Sequence, residues 1–119
     1  MENLDKNVLD VFGRIIYAVA KSDGEVQEEE TAVIQDIIDN HAWAQEIELS
    51  FAIESALDED SNVVFDEAIE TFKFNEIGNH ASEFVDLLER IAEAHDGIVS
   101  EEKVLIDRFK ARLAENGLL

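Results

Sequence analysis

Between Leu4 and Val19 the apolar residues Leu4, Val8, Val11, Phe12, Ile15, Ile16 and Val19 recur at spacings of three and four. That spacing gathers them on one face of a helix and does not fit the two-residue alternation of a half-buried strand. The same period returns along the chain, and no proline interrupts it anywhere. A stop at Asp23-Gly24 suits the end of a first helix, since glycine takes the left-handed conformation readily and aspartate bonds its own backbone. A second helix is expected from about Glu28 to Asn40, with Val33, Ile34, Ile37 and Ile38 inward and Glu28, Glu29 and Glu30 favouring its positive N-terminal end. Trp43, Ile47, Phe51 and Leu57 suggest a third helix, although Leu49 and Ile53 also permit a short strand; without a hairpin signal nearby, helix is favoured. Asp58-Glu59-Asp60-Ser61-Asn62 is the clearest loop. Phe65, Ala68, Ile69 and Phe72 mark a fourth helix ending near Ile77-Gly78, and Phe84, Leu87, Leu88 and Ile91 a fifth. A sixth is capped by Ser100 and carries Val104, Leu105, Phe109 and Leu113 to a stop at Asn116-Gly117. The expected fold is all-α: a single compact bundle of about six helices spanning residues 1–119, with core positions including Val11, Phe12, Ile15, Ile34, Ile38, Leu88, Ile91 and Phe109. Phe72-Lys73-Phe74, taken as helical, points its two rings to different faces and sends one toward the surface or beneath the following turn.

Charge narrows the partners. Twenty-nine acids against nine bases give a formal charge of -20, which repels phosphates and anionic headgroups, so nucleic acid and direct membrane binding are disfavoured and cations or a basic protein partner are favoured. Net negative charge is greatest in residues 41–80, where ten acids stand against the single base Lys73. The longest apolar run, Ile15 to Ala20, is six residues, far short of the roughly 20 needed to span a bilayer. With no secretion signal at the N-terminus, a cytoplasmic location is expected. The absence of cysteine excludes disulfides and thiolate chemistry.

An offset of 73 residues places Asp23-Gly24-Glu25-Val26-Gln27-Glu28-Glu29 over Asp96-Gly97-Ile98-Val99-Ser100-Glu101-Glu102, with five of seven positions identical. The flanks agree in character, as Val11, Phe12, Ile15 and Val19 fall on Phe84, Val85, Leu88 and Ala92. Two helix-turn-helix units of similar design, separated by a less regular helical pair, are the simplest account. A helix ending in small residues, then Asp-Gly-x-Val, then a glutamate-rich helix start, occurring twice, resembles the TerB tellurite-resistance family and the related N-terminal domain of a DnaJ-type co-chaperone. The resemblance runs from about Leu4 to Leu113.

What the resemblance implies is a non-enzymatic α-helical domain of bacterial stress-response and tellurite-resistance systems, with an acidic cluster that binds a divalent cation, calcium or magnesium. Carried over by position, the metal residues are Asp23 and Glu30 in the first unit and Asp96 in the second, where Glu102 or Glu101 substitutes for the missing glutamate only if the helix start is rotated. Lys103 stands where the 73-residue offset calls for a glutamate, so the first unit is expected to dominate.

Other chemistries find little support. An EF-hand needs oxygen ligands around a glycine at the sixth loop position; placing Gly24 there puts Val19 and Lys21 in ligand positions, and the Asp58 loop has Val63 in the glycine place. His41, His80 and His95 lack the spacing of a helical zinc pair. No nucleophile elbow, phosphate loop or His-Glu-x-x-His occurs, so no catalytic residue is assigned. The rival to an acidic interaction module is an acidic inhibitor that mimics nucleic acid and blocks a basic protein; it requires carboxylates spaced along one elongated face.

Overall fold

In the computed structural model the described residues are 5–24, 26–41, 44–77, 80–94 and 97–119. The stripe in the first segment forms α1 (Lys6–Lys21), started by Asp5, whose carboxylate accepts the Asn7 N–H at 2.7 Å. The remaining helices are α2 (Glu28–Asn40), α3 (Gln45–Leu57), α4 (Ser61–Thr71), α5 (Ala81–Glu93) and α6 (Ser100–Glu115), with a turn of 3₁₀ helix at Phe74–Glu76. Among the described residues there is no strand, which settles the Leu49–Ile53 alternative in favour of helix. Among the described residues no helix is long and apolar enough to cross a membrane.

α1 occupies the middle. Its burial extends well beyond one face: Val8, Leu9, Phe12, Ile15, Ile16, Tyr17 and the run Ala18-Val19-Ala20 are nearly inaccessible. α3 and α4 cover it most extensively, α5 and α6 close the other side, and α2 lies against α5 and touches α3. Gly13 sets how closely α1 and α3 approach. A Cβ there would lie 3.0 Å from the Ile47 carbonyl oxygen, 3.1 Å from Ser50 Cβ and 1.8 Å from Ser50 Oγ, so any side chain forces the helices apart. The overall body measures 31 × 28 × 24 Å.

Seven of the eight expected core residues are buried; Ile38 is half-buried, because α2 buries only a narrow face around Ile34 and Ile37. Four expectations for the later helices are corrected. α4 ends at Thr71, not near Ile77, and the chain is extended at Phe72. In extended chain, residues two apart point the same way, so Phe72 and Phe74 both turn inward while Lys73 stays exposed. The two rings meet edge to face at 4.8 Å and continue onto Phe84 and Phe109. α6 takes Val99 as its N-cap, with Ser100 already helical. Val104 faces solvent, 57% exposed, because the buried face of α6 runs through Leu105, Ile106, Phe109 and Leu113.

The few bases act as clamps between helices. Arg90 pairs with Asp36 across α5 and α2, Arg108 with Asp66 at 2.7 Å across α6 and α4, and Lys110 with Glu89 at 3.3 Å across α6 and α5. Arg108 also lies over the Phe65 ring at 4.8 Å, and Arg112 over Phe74 at 5.5 Å. The basic end of α6 thus does more than complement a helix dipole.

Candidate functional site

The Asp-Gly junctions lead into α2 and α6 in the same way. Gly24 and Gly97 hold φ of +112° and +84°, values that β-carbon-bearing residues rarely take. Beyond each glycine the backbone is extended at the N-cap, Gln27 or Val99, and the third residue of the helix is a glutamate that folds back. The Glu30 Oε1 atom accepts the Gln27 N–H at 3.0 Å, and Glu102 Oε1 accepts the Val99 N–H at 3.1 Å. Each is the glutamate half of a capping box. Val26 and Ile98 pack against the core just before each cap.

These equivalences fix the repeat offset at 72, not 73. Glu30 matches Glu102, Gln27 matches Val99, and the helix ends Ser22 and Ala94 match as well. The two connections are therefore equal in length, with the Asp-Gly pair one position later in the second. Lys103 does not take the glutamate's place: it is exposed and pairs with Asp107 at 2.7 Å. Both units carry the glutamate, which removes the reason for expecting the first to dominate.

Glu30 and Glu102 are each 1% exposed, and their side chains come within hydrogen-bonding reach of one another. The second oxygen of each, Oε2, is buried and receives no donor from the rest of the described protein. A second carboxylate in contact with Glu30 away from water disfavours its charged form and so favours its protonated one. Burial is the main cause that pushes Glu30 up to about 8, followed by its hydrogen bond with Glu102; the Gln27 N–H opposes the shift, and the nearby charges of Glu102 and Asp23 add to it.

Of the four sequence-predicted metal residues, the fold brings Glu30 and Glu102 into contact and leaves Asp23 close enough to act on Glu30 electrostatically. Asp96 lies outside the described residues, as do Trp43 and His95. Among the described residues, no three His, Asp or Glu side chains form a group able to hold a metal ion. His41 Nδ1 sits 2.8 Å from the Ile37 carbonyl, and His80 Nδ1 sits 3.2 Å from Glu83 Oε1. Both serve helix ends.

A third buried acid carried no sequence signal. Glu54 lies on the inner face of α3, where burial pushes its carboxyl above the ordinary range, with Glu59 adding to the shift and Arg14 opposing it. Arg14 Nε stands 3.7 Å from Glu54 Oε1. The Asp58–Asp60 loop is committed to structure: Asp58 closes α3 in a left-handed conformation, Asp60 caps α4, and the Glu59 carbonyl accepts the Tyr17 hydroxyl at 3.1 Å.

Comparison of the chain with protein-family models, curated proteins and solved structures finds no match.

Proposed function

We propose that this chain is a non-enzymatic, TerB-like binding module of a stress-response or tellurite-resistance system, and that its paired glutamates exchange a proton for a divalent cation. The observation that carries this reading is the contact between Glu30 and Glu102, each with one oxygen orphaned and buried. Calcium and magnesium are hard cations that prefer carboxylate oxygens, and two orphaned Oε2 atoms are the donors such an ion takes. Glu30 and Glu102 would hold the ion between the two junctions through their Oε2 atoms. The bound cation would supply charge that neutralises the pair and joins the two helix-turn-helix units. The protein's own part is to fix Oε1 of each glutamate on a backbone N–H, so that Oε2 alone remains to bind.

The nucleic-acid-mimic reading is less favoured, because an elongated acidic face does not suit a body of 31 × 28 × 24 Å.

Calorimetric titration with calcium and with magnesium, repeated in buffers of different protonation enthalpy, tests the exchange. Binding should release a proton at neutral pH, and an ion at 100 times its dissociation constant should add about 2.7 kcal/mol of stability. Glu30→Gln and Glu102→Gln should each abolish most of the heat, with comparable losses. Absence of any stabilisation beyond an ionic-strength-matched sodium control, or binding that survives both substitutions, overturns the reading.

A further inference from the structure

α3 has two apolar faces. Its inner face, through Ile47, Ser50 and Glu54, is buried. On the opposite side Leu49, Ala52, Ile53, Ala56 and Leu57 follow the three-and-four spacing of a helical stripe, and all five are exposed. Leu49 is 57%, Ile53 49% and Leu57 59% exposed, making this stripe half of the six large apolar side chains that face solvent among the described residues. Single exposed leucines need no explanation, but a contiguous row of five small and large apolar residues on one helix face does.

The charge around the stripe selects what covers it. Glu46 and Glu48 stand at its start, and Asp58, Glu59 and Asp60 follow directly after Leu57. Between Lys21 and Lys73 the sequence has no lysine or arginine at all. Lys21 is turned to Asp58 at 2.6 Å, and Arg14 to Glu54 on the inner face. A second copy would bring the same acids against these and add another formal charge of -20, which disfavours self-association through this face. An anionic lipid surface meets the same repulsion.

We propose that the outer face of α3 docks a basic amphipathic helix of a protein partner, its leucine-like residues packing on Leu49, Ile53 and Leu57 and its lysines or arginines pairing with the acids at both ends. Helix-on-helix recognition of this kind uses side chains at three-and-four spacing as anchors, with Ala52 and Ala56 giving the close approach between them. This deepens the binding-module reading by naming the partner's chemistry, and it stands apart from the cation site.

The test uses the whole chain in chelator, so that failure of cation binding has no bearing on the result. The probe is a synthetic amphipathic helix of about 14 residues, two heptads, with leucines on one face and lysines beside them; its twin carries glutamates in place of the lysines. The lysine peptide should bind the wild-type chain at least about tenfold more tightly than it binds the Leu49→Gln/Ile53→Gln/Leu57→Gln variant, as expected when anchors are removed from an interface. That variant keeps the formal charge unchanged, so general attraction to an acidic protein does not separate the two. The glutamate twin should bind neither. Should the triple variant melt early, Ala52→Gln/Ala56→Gln, which keeps good helix formers at both positions, carries the same expectation. Equal affinity of wild type and variants for the lysine peptide overturns the proposal, as does sedimentation showing a wild-type dimer that the substitutions dissolve.

Discussion

Replacing Glu30 by Gln isolates the buried pair, because the amide keeps an oxygen for the Gln27 N–H and offers N–H donors to Glu102. In the wild type, Glu30 titrates near 4.5 when unfolded and near 8 when folded. Its folded state therefore holds a proton that the unfolded chain has released across this window. Stability contributed by that proton is fully present below about pH 4.5 and is lost as pH rises toward about 8. At 1.36 kcal/mol per pH unit, the gap between 4.5 and about 8 caps the loss at about 5 kcal/mol. Between about pH 5.5 and about pH 7.5 the wild type should lose roughly 2.5 kcal/mol through this group. Urea unfolding followed by circular dichroism, in chelator and at fixed ionic strength, measures the loss. Glu30→Gln should flatten the wild-type slope by that amount and leave the variant the more stable protein at about pH 8, by several degrees in Tm at about 4 °C per kcal/mol. The comparison must be a difference between the two proteins, since Glu54 is also shifted upward and contributes a slope of the same sign to both. Parallel curves for wild type and variant across this range would refute a proton held on Glu30 in the folded state.

Two further outcomes concern packing. Gly13→Ala should destabilise the protein by about 1–3 kcal/mol despite alanine's better helix propensity, because the added methyl meets the Ile47 carbonyl and Ser50; thermal unfolding checks this, and an unchanged or raised Tm contradicts the close approach of α1 and α3. Phe74→Ala should cost about 3–5 kcal/mol, as befits a buried ring in contact with Phe72 and Phe109, and a loss below about 1 kcal/mol by urea unfolding would place Phe74 at the surface.

The helices that the sequence reveals best are α1 and α5, whose apolar residues form stripes strong enough to fix type and approximate ends. α1 is buried beyond its stripe, at Leu9, Tyr17 and Ala18, since a central helix is enclosed by neighbours that its own period does not reveal. Phe72 and Phe74 misled for a local reason: spacing of two is ambiguous until the backbone conformation between them is known. The carboxyl pair was half legible. Glu30 follows from the resemblance, but the Asp-Gly dipeptides align one residue away from the helix starts, so that Lys103 falls on Glu30, and only the capping geometry restores the register that pairs it with Glu102. Glu54 gave no signal, because one acid on an apolar helix reads as a solvent-facing residue until the inner face is known. Gly13 offered a weak one, as glycine inside a helix costs stability and hints at a close approach.

The central position of α1 has a consequence for how the chain is made. Of the helices described, α1 leaves the ribosome first, yet its partners α3, α4, α5 and α6 are all encoded after it. Sixteen residues of isolated helix are only marginally stable in water, so its apolar surface must wait, unpaired, until the later helices emerge and wrap it. During that interval the nascent segment is a ready client for any chaperone that grips short apolar stretches. The earliest of these helices to be translated is thus fully enclosed only once the last has emerged.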